Sequence, residues 1–550
     1  MMNLFNAHNR PQLIERLSNE QYDLLIIGGG VTGAGIALDA IARGLKVALL
    51  EKNDFASGTS SKSTKLIHGG LRYLKQFEIA LVREVGKERA VVHQLAPHLV
   101  QSEKMLLPLI KGGTYGKILT SFGLMIYDVL AGVEKVDQRK MLSKEETMSR
   151  EELLDEAKIE GGGLYAEYRT DDARLTIEIM KTAVARGAHM INYAEVTDFV
   201  YDNNQKISGI SWVDNLTEKE YLTKAKYVIS AAGPWVDKIR EKNHSLNEKH
   251  LHLTKGVHIV IPHEKFPVSQ SVYFDVPDGR MIFAIPRGRV TYVGTTDTDF
   301  FGDIDDVRTD LQDVIYLLDG IKHIFPEIRL TVSDVESSWA GLRPLIEEEG
   351  KSASELSRKD EIFESDTGLL SIAGGKLTGY RKMAERIVDK LARKIEDHEE
   401  VDIPGSKTEN IVLGGGVFKN GKEVELYTAE ILGRLSELEL DDYYAAYLVS
   451  NYGRQTDEIL RELKNQPHDN NELALILAEL DFTIKNESVQ TAVDFFERRT
   501  GRLFFHIQSV DEFKEAVLKA MQERFAWSDT RLENERLYLN SELDRARNFN

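Results

Sequence analysis

The chain has 550 residues, 42% hydrophobic and 29% charged, which excludes a wholly disordered chain, a collagen-like fibre and a disulfide mini-scaffold. With 70 Lys+Arg against 89 Asp+Glu the formal charge is −19, so nucleic acid is repelled in bulk and an anionic ligand needs a local basic pocket. There is no cysteine, which removes disulfides, thiolate metal sites, Cys-ligated iron–sulfur clusters and a thiol nucleophile, and fits a reducing compartment. At roughly 100–200 residues per domain, two to four domains are expected. Met1–Tyr22 is polar and mixed in charge, unlike a signal peptide. No uncharged apolar run of about 18 residues exists, so no transmembrane helix is expected.

Residues 22–51 read YDLLIIGGGVTGAGIALDAIARGLKVALLE. Leu24–Ile27 predicts a short buried parallel strand. Gly28, Gly30 and Gly33 follow as G-x-G-x-x-G. Gly28 permits the tight turn, Gly30 offers no Cβ to hold a pyrophosphate away, and Gly33 lets the next helix pack close to the sheet. The helix N-terminus supplies N–H groups and partial positive charge for phosphates. A second strand, Lys46–Leu50, ends at Glu51, whose carboxylate can accept from ribose hydroxyls. That acid favours an unphosphorylated adenosine ribose, hence FAD or NAD rather than NADP.

Residues 55–77, FASGTSSKSTKLIHGGLRYLKQF, carry Lys62, Lys65, Arg72 and Lys75 and no acid. Gly58, Thr59, Ser60 and Ser61 are small and rich in donors, suited to lie along a pyrophosphate or a flavin edge. Lys62 and Lys75 read as solvated; His68 and Arg72, set among Leu66, Ile67, Leu71 and Tyr73, do not. Residues 227–235, YVISAAGPW, predict a buried strand running into a turn at Gly233. Residues 368–386, GLLSIAGGKLTGYRKMAER, predict strand, Gly374-Gly375 turn and helix. The N–H groups of Lys376, Leu377 and Thr378 then open a helix. Such a terminus stabilises the negative charge of a reduced flavin.

At these residues the chain resembles the FAD-dependent aerobic glycerol-3-phosphate dehydrogenases. IGGGVTGAGIALDAIARG (27–44) and GGKLTGYRKMA (374–384) match the two family signatures. STKLIHGGLRYL (63–74, with Thr64), AAGPWVD (231–237), TKGVHIV (254–260) and AGLRPL (340–345) look like family segments between them. The resemblance spans roughly residues 20–390. It implies an α/β architecture: a Rossmann-like FAD-binding domain (20–100, 160–240 and 365–400), an antiparallel-sheet substrate domain (101–159 and 241–364) and an all-helical C-terminal domain (401–550). The residues agree in part. HLTKGVHIVIP, QSVYFDV, RMIFAIPRG and VTYVGTTDT alternate with turn residues as antiparallel strands do, and 421–545 has helical spacing with few glycines and no catalytic motif. The sister oxidases share nearly all these segments but usually carry an insertion in the substrate domain, for which this chain is short.

The expected reaction is oxidation of glycerol 3-phosphate to dihydroxyacetone phosphate by hydride transfer to FAD. A base must take the hydroxyl proton, and histidine suits that task near neutral pH; His68 and His258 both lie in family-like segments, and the sequence does not choose between them. A phosphate dianion calls for arginine. Arg72 and Arg343 are the candidates, with the acidic run Glu347–Glu349 as Arg343's alternative partner. Lys376 can hold the developing alkoxide, and Tyr73 can add a donor.

Without an iron–sulfur relay the flavin must hand electrons to an outside acceptor. The family expectation is a membrane quinone, with peripheral contact at the inner face of the cell membrane from the cytoplasmic side; a homodimer is compatible with the sequence. Residues 104–127, KMLLPLIKGGTYGKILTSFGLMIY, suit either an interface with anionic lipid or core elements of the substrate domain. Residues 297–308 begin like a calcium loop, but Phe301 and Arg308 stand where ligands are required, and no metal is expected. Three alternatives differ in readout: an oxidase makes peroxide, an NAD enzyme purifies colourless, and a non-enzymatic scaffold leaves its flavin unbleached by glycerol 3-phosphate.

Overall fold

The computed structural model describes residues 3–68, 79–112, 139–247, 249–347, 360–464 and 470–549. The apolar run at Leu24 ends the strand Gln21–Ile27, which lies in the middle of an eight-stranded sheet. Its parallel neighbours are Val47–Leu50, with Leu24 opposite Val47, and Lys219–Ser230, with Leu24 opposite Tyr227. His189–Ile191 extends one side and Leu370–Ala373 the other, both parallel. Antiparallel Glu361–Glu364 closes the edge, and a meander of Ala194–Tyr201 and Ile207–Asp214 leans on the long strand.

Parallel strands need cover on both faces. On one face the helices Val31–Ala42, Asp172–Val184 and Tyr380–Glu399 bury Ile36, Ala37, Ile177, Met180, Met383 and Ile387. Gly35 allows the closest approach there: a Cβ would stand 3.0 Å from the Tyr380 ring. On the other face the helix Arg10–Asn19 inserts Leu13 and Leu17 beside Trp212.

The second sheet has ten strands and is antiparallel apart from one parallel pair, Ser271–Asp275 with Gln101–Ile110. The strand Leu251–Pro262 is its hub. It pairs with Val290–Gly294 on one side and with Ser337–Ile346 on the other. Ile159–Arg169 belongs to this sheet, paired with Gln101–Ile110 and with Leu66–Ile67. The strand placed by the sequence in the FAD-binding domain from residue 160 thus pairs in this sheet, with Leu164–Tyr168 opposite Ser102–Leu106. Likewise Glu361–Glu364, placed by the sequence in the substrate domain, pairs with the first sheet. Within the basic apolar segment 104–127, Met105–Ile110 is buried in the core of the second sheet, the non-membrane alternative; residues 113–127 lie outside the described residues. Among the described residues no helix is long and apolar enough to cross a membrane.

The C-terminal part is helical, from Gly421–Ser436 to Asp529–Arg547, with a π-helical turn at Asp494–Arg499. That turn directs two successive arginines at one carboxylate in the first domain. Arg498 Nε and Arg499 Nη1 lie 2.6 and 2.7 Å from Asp54 Oδ2. Both arginines and Asp54 are buried, and the two cations hold the Asp54 carboxyl down at about 2 despite its burial. Phe5 stacks on Phe55 at 5.5 Å, and the Phe5 carbonyl accepts from Ser488 N–H at 3.0 Å. The segment Asn53–Phe55 is thus held from outside by both the N-terminal residues and the helical domain.

Candidate active site

The glycine turn after Gln21–Ile27 opens a cleft of about 1360 Å³, its mouth included, room for a dinucleotide. Gly28 has φ +111°, and a Cβ there would stand 2.6 Å from the Ala231 carbonyl oxygen. Gly30 faces Ser60, whose Oγ would be 3.0 Å from an added Cβ. Gly33 lies behind the cleft, where a Cβ would meet the Gly28 carbonyl oxygen at 1.9 Å; its task is packing, as read from the sequence. One helix-terminal donor is already used, since Val31 N–H donates to Ser60 Oγ at 2.9 Å.

Glu51 stands at the end of the second strand. Its carboxylate accepts from Gly29 N–H at 2.6 Å and Asn53 N–H at 2.9 Å. Burial raises its pKa against the pull of those two donors. Each carboxylate oxygen keeps a further lone pair for a hydroxyl lining the same cleft. The wall is completed by Gly58, Thr59 and Ser60, by Ala231–Trp235 with Gly233, and by Gly374–Leu377. A glycine cradle that side chains would fill, a buried acceptor at the second strand, and N–H groups at Lys376 and Leu377 together fit an FAD. Ser61 does not reach the cleft: it is buried, and its carbonyl accepts from Lys65 Nζ at 2.9 Å.

A second cavity adjoins the first and shares Thr59, Ser63, Pro344, Gly375, Lys376 and Leu377 with it. Its shape follows from strand register. His258 lies opposite Trp339, Gly256 opposite Gly341, and Thr254 opposite Arg343. Side chains directly opposed in a ladder share a face, and positions two apart alternate back to it. Arg343 and the His258–Trp339 pair therefore stand on one face with a glycine pair between them, and that gap is the cavity. The glycines are required: a Cβ on Gly256 would meet Arg343 Nη2 at 2.4 Å, and one on Gly294 would meet His258 Cδ2 at 2.1 Å.

His258 is fully buried, stacks on Trp339 at 4.9 Å and places Nε2 3.0 Å from Thr64 Oγ1. Its Nδ1 has no hydrogen-bond partner among the described residues. Burial, then the cations Arg343 and Lys65, push its pKa far below the ordinary 6.5. It is a neutral imidazole at physiological pH, the form with a lone pair open to a proton. Thr64 belongs to the loop that carries it, pinned by Trp339 Nε1 to the Ser63 carbonyl at 3.1 Å and by Tyr292 Oη to the Thr64 carbonyl at 3.2 Å.

Arg343 finds partners in the segment 295–297. It donates to Asp297 Oδ1 at 3.0 Å and Thr295 Oγ1 at 2.9 Å, while Pro344 fixes the strand beyond it. Asp297, first residue of the apparent calcium loop, thus has a cation partner, and no group of residues able to hold a metal occurs among the described residues. His68 lines the same cavity, with Phe283 edge-on at 6.2 Å; its backbone N–H and carbonyl are both bound by Thr378 Oγ1 at 3.1 Å. The structure therefore brings together Thr64, His68, His258, Arg343, Lys376, Leu377 and Thr378. Lys62, read as solvated, also lines the cavity. Arg72, Tyr73 and Lys75 lie outside the described residues. Sequence reasoning missed Trp339 and the glycines Gly256, Gly294 and Gly341. The signal for the glycines was present as single glycines inside strand patterns, which mark close approach.

Residues 23–381 match the FAD dependent oxidoreductase family and residues 406–532 the C-terminal domain of alpha-glycerophosphate oxidase. The aerobic glycerol-3-phosphate dehydrogenase of Bacillus subtilis (strain 168) is 50% identical over 96% of both chains. The chain belongs to the FAD-dependent glycerol-3-phosphate dehydrogenase family. The Staphylococcus aureus (strain USA300) aerobic enzyme is 49% identical over 96% of this chain and 95% of its own. Among solved structures, glycerol-3-phosphate dehydrogenase from Bacillus halodurans complexed with FAD superposes with a TM-score of 0.85 at 44% identity over 99% of both chains. FAD-bound L-alpha-glycerophosphate oxidase from Mycoplasma pneumoniae shares the fold, with a TM-score of 0.55 at 22% identity over 68% of this chain and 95% of that one. The α/β architecture with a helical C-terminal domain and the FAD cofactor read from the sequence are those of this family.

Proposed function

We propose that the chain oxidises sn-glycerol 3-phosphate to dihydroxyacetone phosphate and passes the electrons to a membrane quinone. The observation that carries this reading is the cavity beside the cofactor cleft. Lys62, His68, His258, Arg343 and Lys376 line it, with no carboxylate among the described lining residues. In a chain of charge −19 this is a local reversal suited to a small dianion.

Gly28, Gly30, Glu51, Ser60 and Lys376 would hold the flavin, which would supply a hydride acceptor for the carbinol carbon. This chain's own residues do the rest. Arg343, held at a fixed angle by Asp297 and Thr295, directs its guanidinium fork at the phosphate. His258, neutral and backed by the Trp339 ring, takes the hydroxyl proton. Lys376 compensates charge as the alkoxide develops. Ser63 and Thr59 close the seam between the two cavities.

The decisive test is anaerobic addition of glycerol 3-phosphate to the yellow holoenzyme. Bleaching near 450 nm is expected, and retained colour with this substrate overturns the reading. The acceptor is tested separately, by comparing turnover with a short-chain quinone against peroxide formed in air. Stoichiometric peroxide makes the chain an oxidase, the alternative that its C-terminal family match keeps in view. Co-sedimentation with inverted membrane vesicles tests the expected peripheral site on the cytoplasmic face.

A further inference from the structure

Three side chains at the open end of the cofactor cleft, Lys52, Trp235 and Lys238, line its wall. All three are gripped by one carboxylate that lies outside the cleft, on a loop of the other sheet. Asp305 Oδ1 accepts from Trp235 Nε1 at 2.7 Å and from Lys52 Nζ, and Asp305 Oδ2 accepts from Lys238 Nζ at 2.9 Å. The grip passes inward. Lys52 Nζ lies 4.6 Å over the Trp235 ring, a cation–π contact. The Trp235 ring edge in turn rests on Gly58, where a Cβ would stand 3.0 Å from it. Gly58 opens the turn that presents Thr59 and Ser60 to the cleft.

The loop carrying Asp305 runs between the strand Thr298–Asp299 and the helix Leu311–Ile324. It has a separate anchor: Asp306 pairs with Arg545 of the last helix at 3.1 Å and with Arg308 at 2.8 Å. These partners do not line the cleft. One carboxylate of the loop thus serves the cleft wall and its neighbour serves the loop.

We infer that Asp305 is a positioning residue for the cofactor, an ionic latch that closes the adenosine end of the cleft over bound FAD by tying Lys52, Trp235 and Lys238 together. Glu51, immediately before Lys52, marks that end. Asp305 is held well into its charged form, at about 2, with the two lysines and Trp235 outweighing its partial burial. The latch is closed throughout the physiological pH range and opens through ionic strength, because its members are 28 to 52% exposed and such pairs are screened by salt.

The experiment measures FAD release from diluted holoenzyme, followed as flavin fluorescence, for the native chain, Asp305→Asn and Asp306→Asn at low and high salt. Asp305→Asn is expected to release FAD about three- to tenfold faster, as three partly exposed contacts allow. Native release should rise with salt toward the variant's rate, and Asp305→Asn should be insensitive to it. Asp306→Asn, in the same loop, should release FAD at the native rate. Unchanged release from Asp305→Asn, or equal acceleration in both variants, overturns the inference. It rests on the reading that this cleft holds FAD with its adenosine at Glu51. That reading fails by a different result, the retention of flavin by Gly30→Val.

Discussion

His258 and Trp339 lie face to face, ring centroids 4.9 Å apart and planes 13° from parallel, on neighbouring strands whose register puts them opposite each other. The stack fixes the imidazole plane and keeps water from one face, so the histidine is both aimed and desolvated. Its basicity and its position have a common cause.

If His258 is the base, His258→Gln lowers kcat by about 10²–10⁴-fold while FAD stays bound. Because the folded group titrates far below 6.5, the acid limb of kcat/KM lies below the ordinary histidine range. Native-like kcat and an unchanged acid limb in His258→Gln refute the assignment of the base.

Arg343→Ala removes the fork but not the cofactor wall, so KM for glycerol 3-phosphate rises about 10- to 100-fold with the 450 nm absorbance per chain unchanged. Arg343→Lys restores the charge without the bidentate geometry and falls between the two. Loss of flavin from Arg343→Ala contradicts the placement.

Gly30→Val puts a Cβ 3.0 Å from Ser60 Oγ and two methyls further into the cleft. The variant purifies without flavin; a native ratio of 450 to 280 nm absorbance refutes the cradle.

His98 supplies a pH dependence of stability. It is fully buried between Gly416 and Gly453, and burial, then Lys181 and Arg174, push it down to about 3. Below pH 6.5 the unfolded chain takes up a proton that the folded chain refuses. Stability from this group is therefore complete above 6.5 and is lost as the pH falls, by about 1.4 kcal/mol per pH unit until roughly pH 3. The carboxylates held low, Asp54 and Glu487, add their own loss only beneath the ordinary carboxylate range. Denaturant midpoints between pH 7 and 5 should fall less steeply in His98→Asn than in the native chain.

Asp54→Asn leaves buried Arg499 against a neutral amide and takes from Arg498 one of its three carboxylates. Stability drops by about 3–5 kcal/mol, read as a lower Tm of the holoenzyme, and equal Tm values refute the clamp.

What the sequence disclosed was local in range. Gly28, Gly30, Gly33 and Glu51 sit within one strand–turn–helix–strand unit, so their spacing fixes their tasks. The Gly374-Gly375 turn and the antiparallel run from Leu251 to Gly294 were legible for the same reason. What stayed hidden was pairing across the chain. Arg343 was given Glu347–Glu349 as an alternative partner; its contact with Asp297, 46 residues back along the chain, could not be read from the sequence. Lys62 reads as a solvated lysine until the sheet that closes over it is known. The strand Ile159–Arg169 shows no sign of which sheet it joins until Gln101–Ile110 is beside it. The C-terminal helices contain no catalytic motif, and their contribution, two arginines on Asp54, lies 444 and 445 residues away along the chain.

That separation bears on biosynthesis. At synthesis rates of about 5–20 residues per second, roughly 20–90 s pass between emergence of Asp54 and of Arg499. Throughout that interval Asp54 lacks the two arginines that hold it. The clamp beside Glu51 is therefore among the last contacts the chain can make, after the cleft walls at Ala231–Trp235 and Gly374–Leu377 have been synthesised.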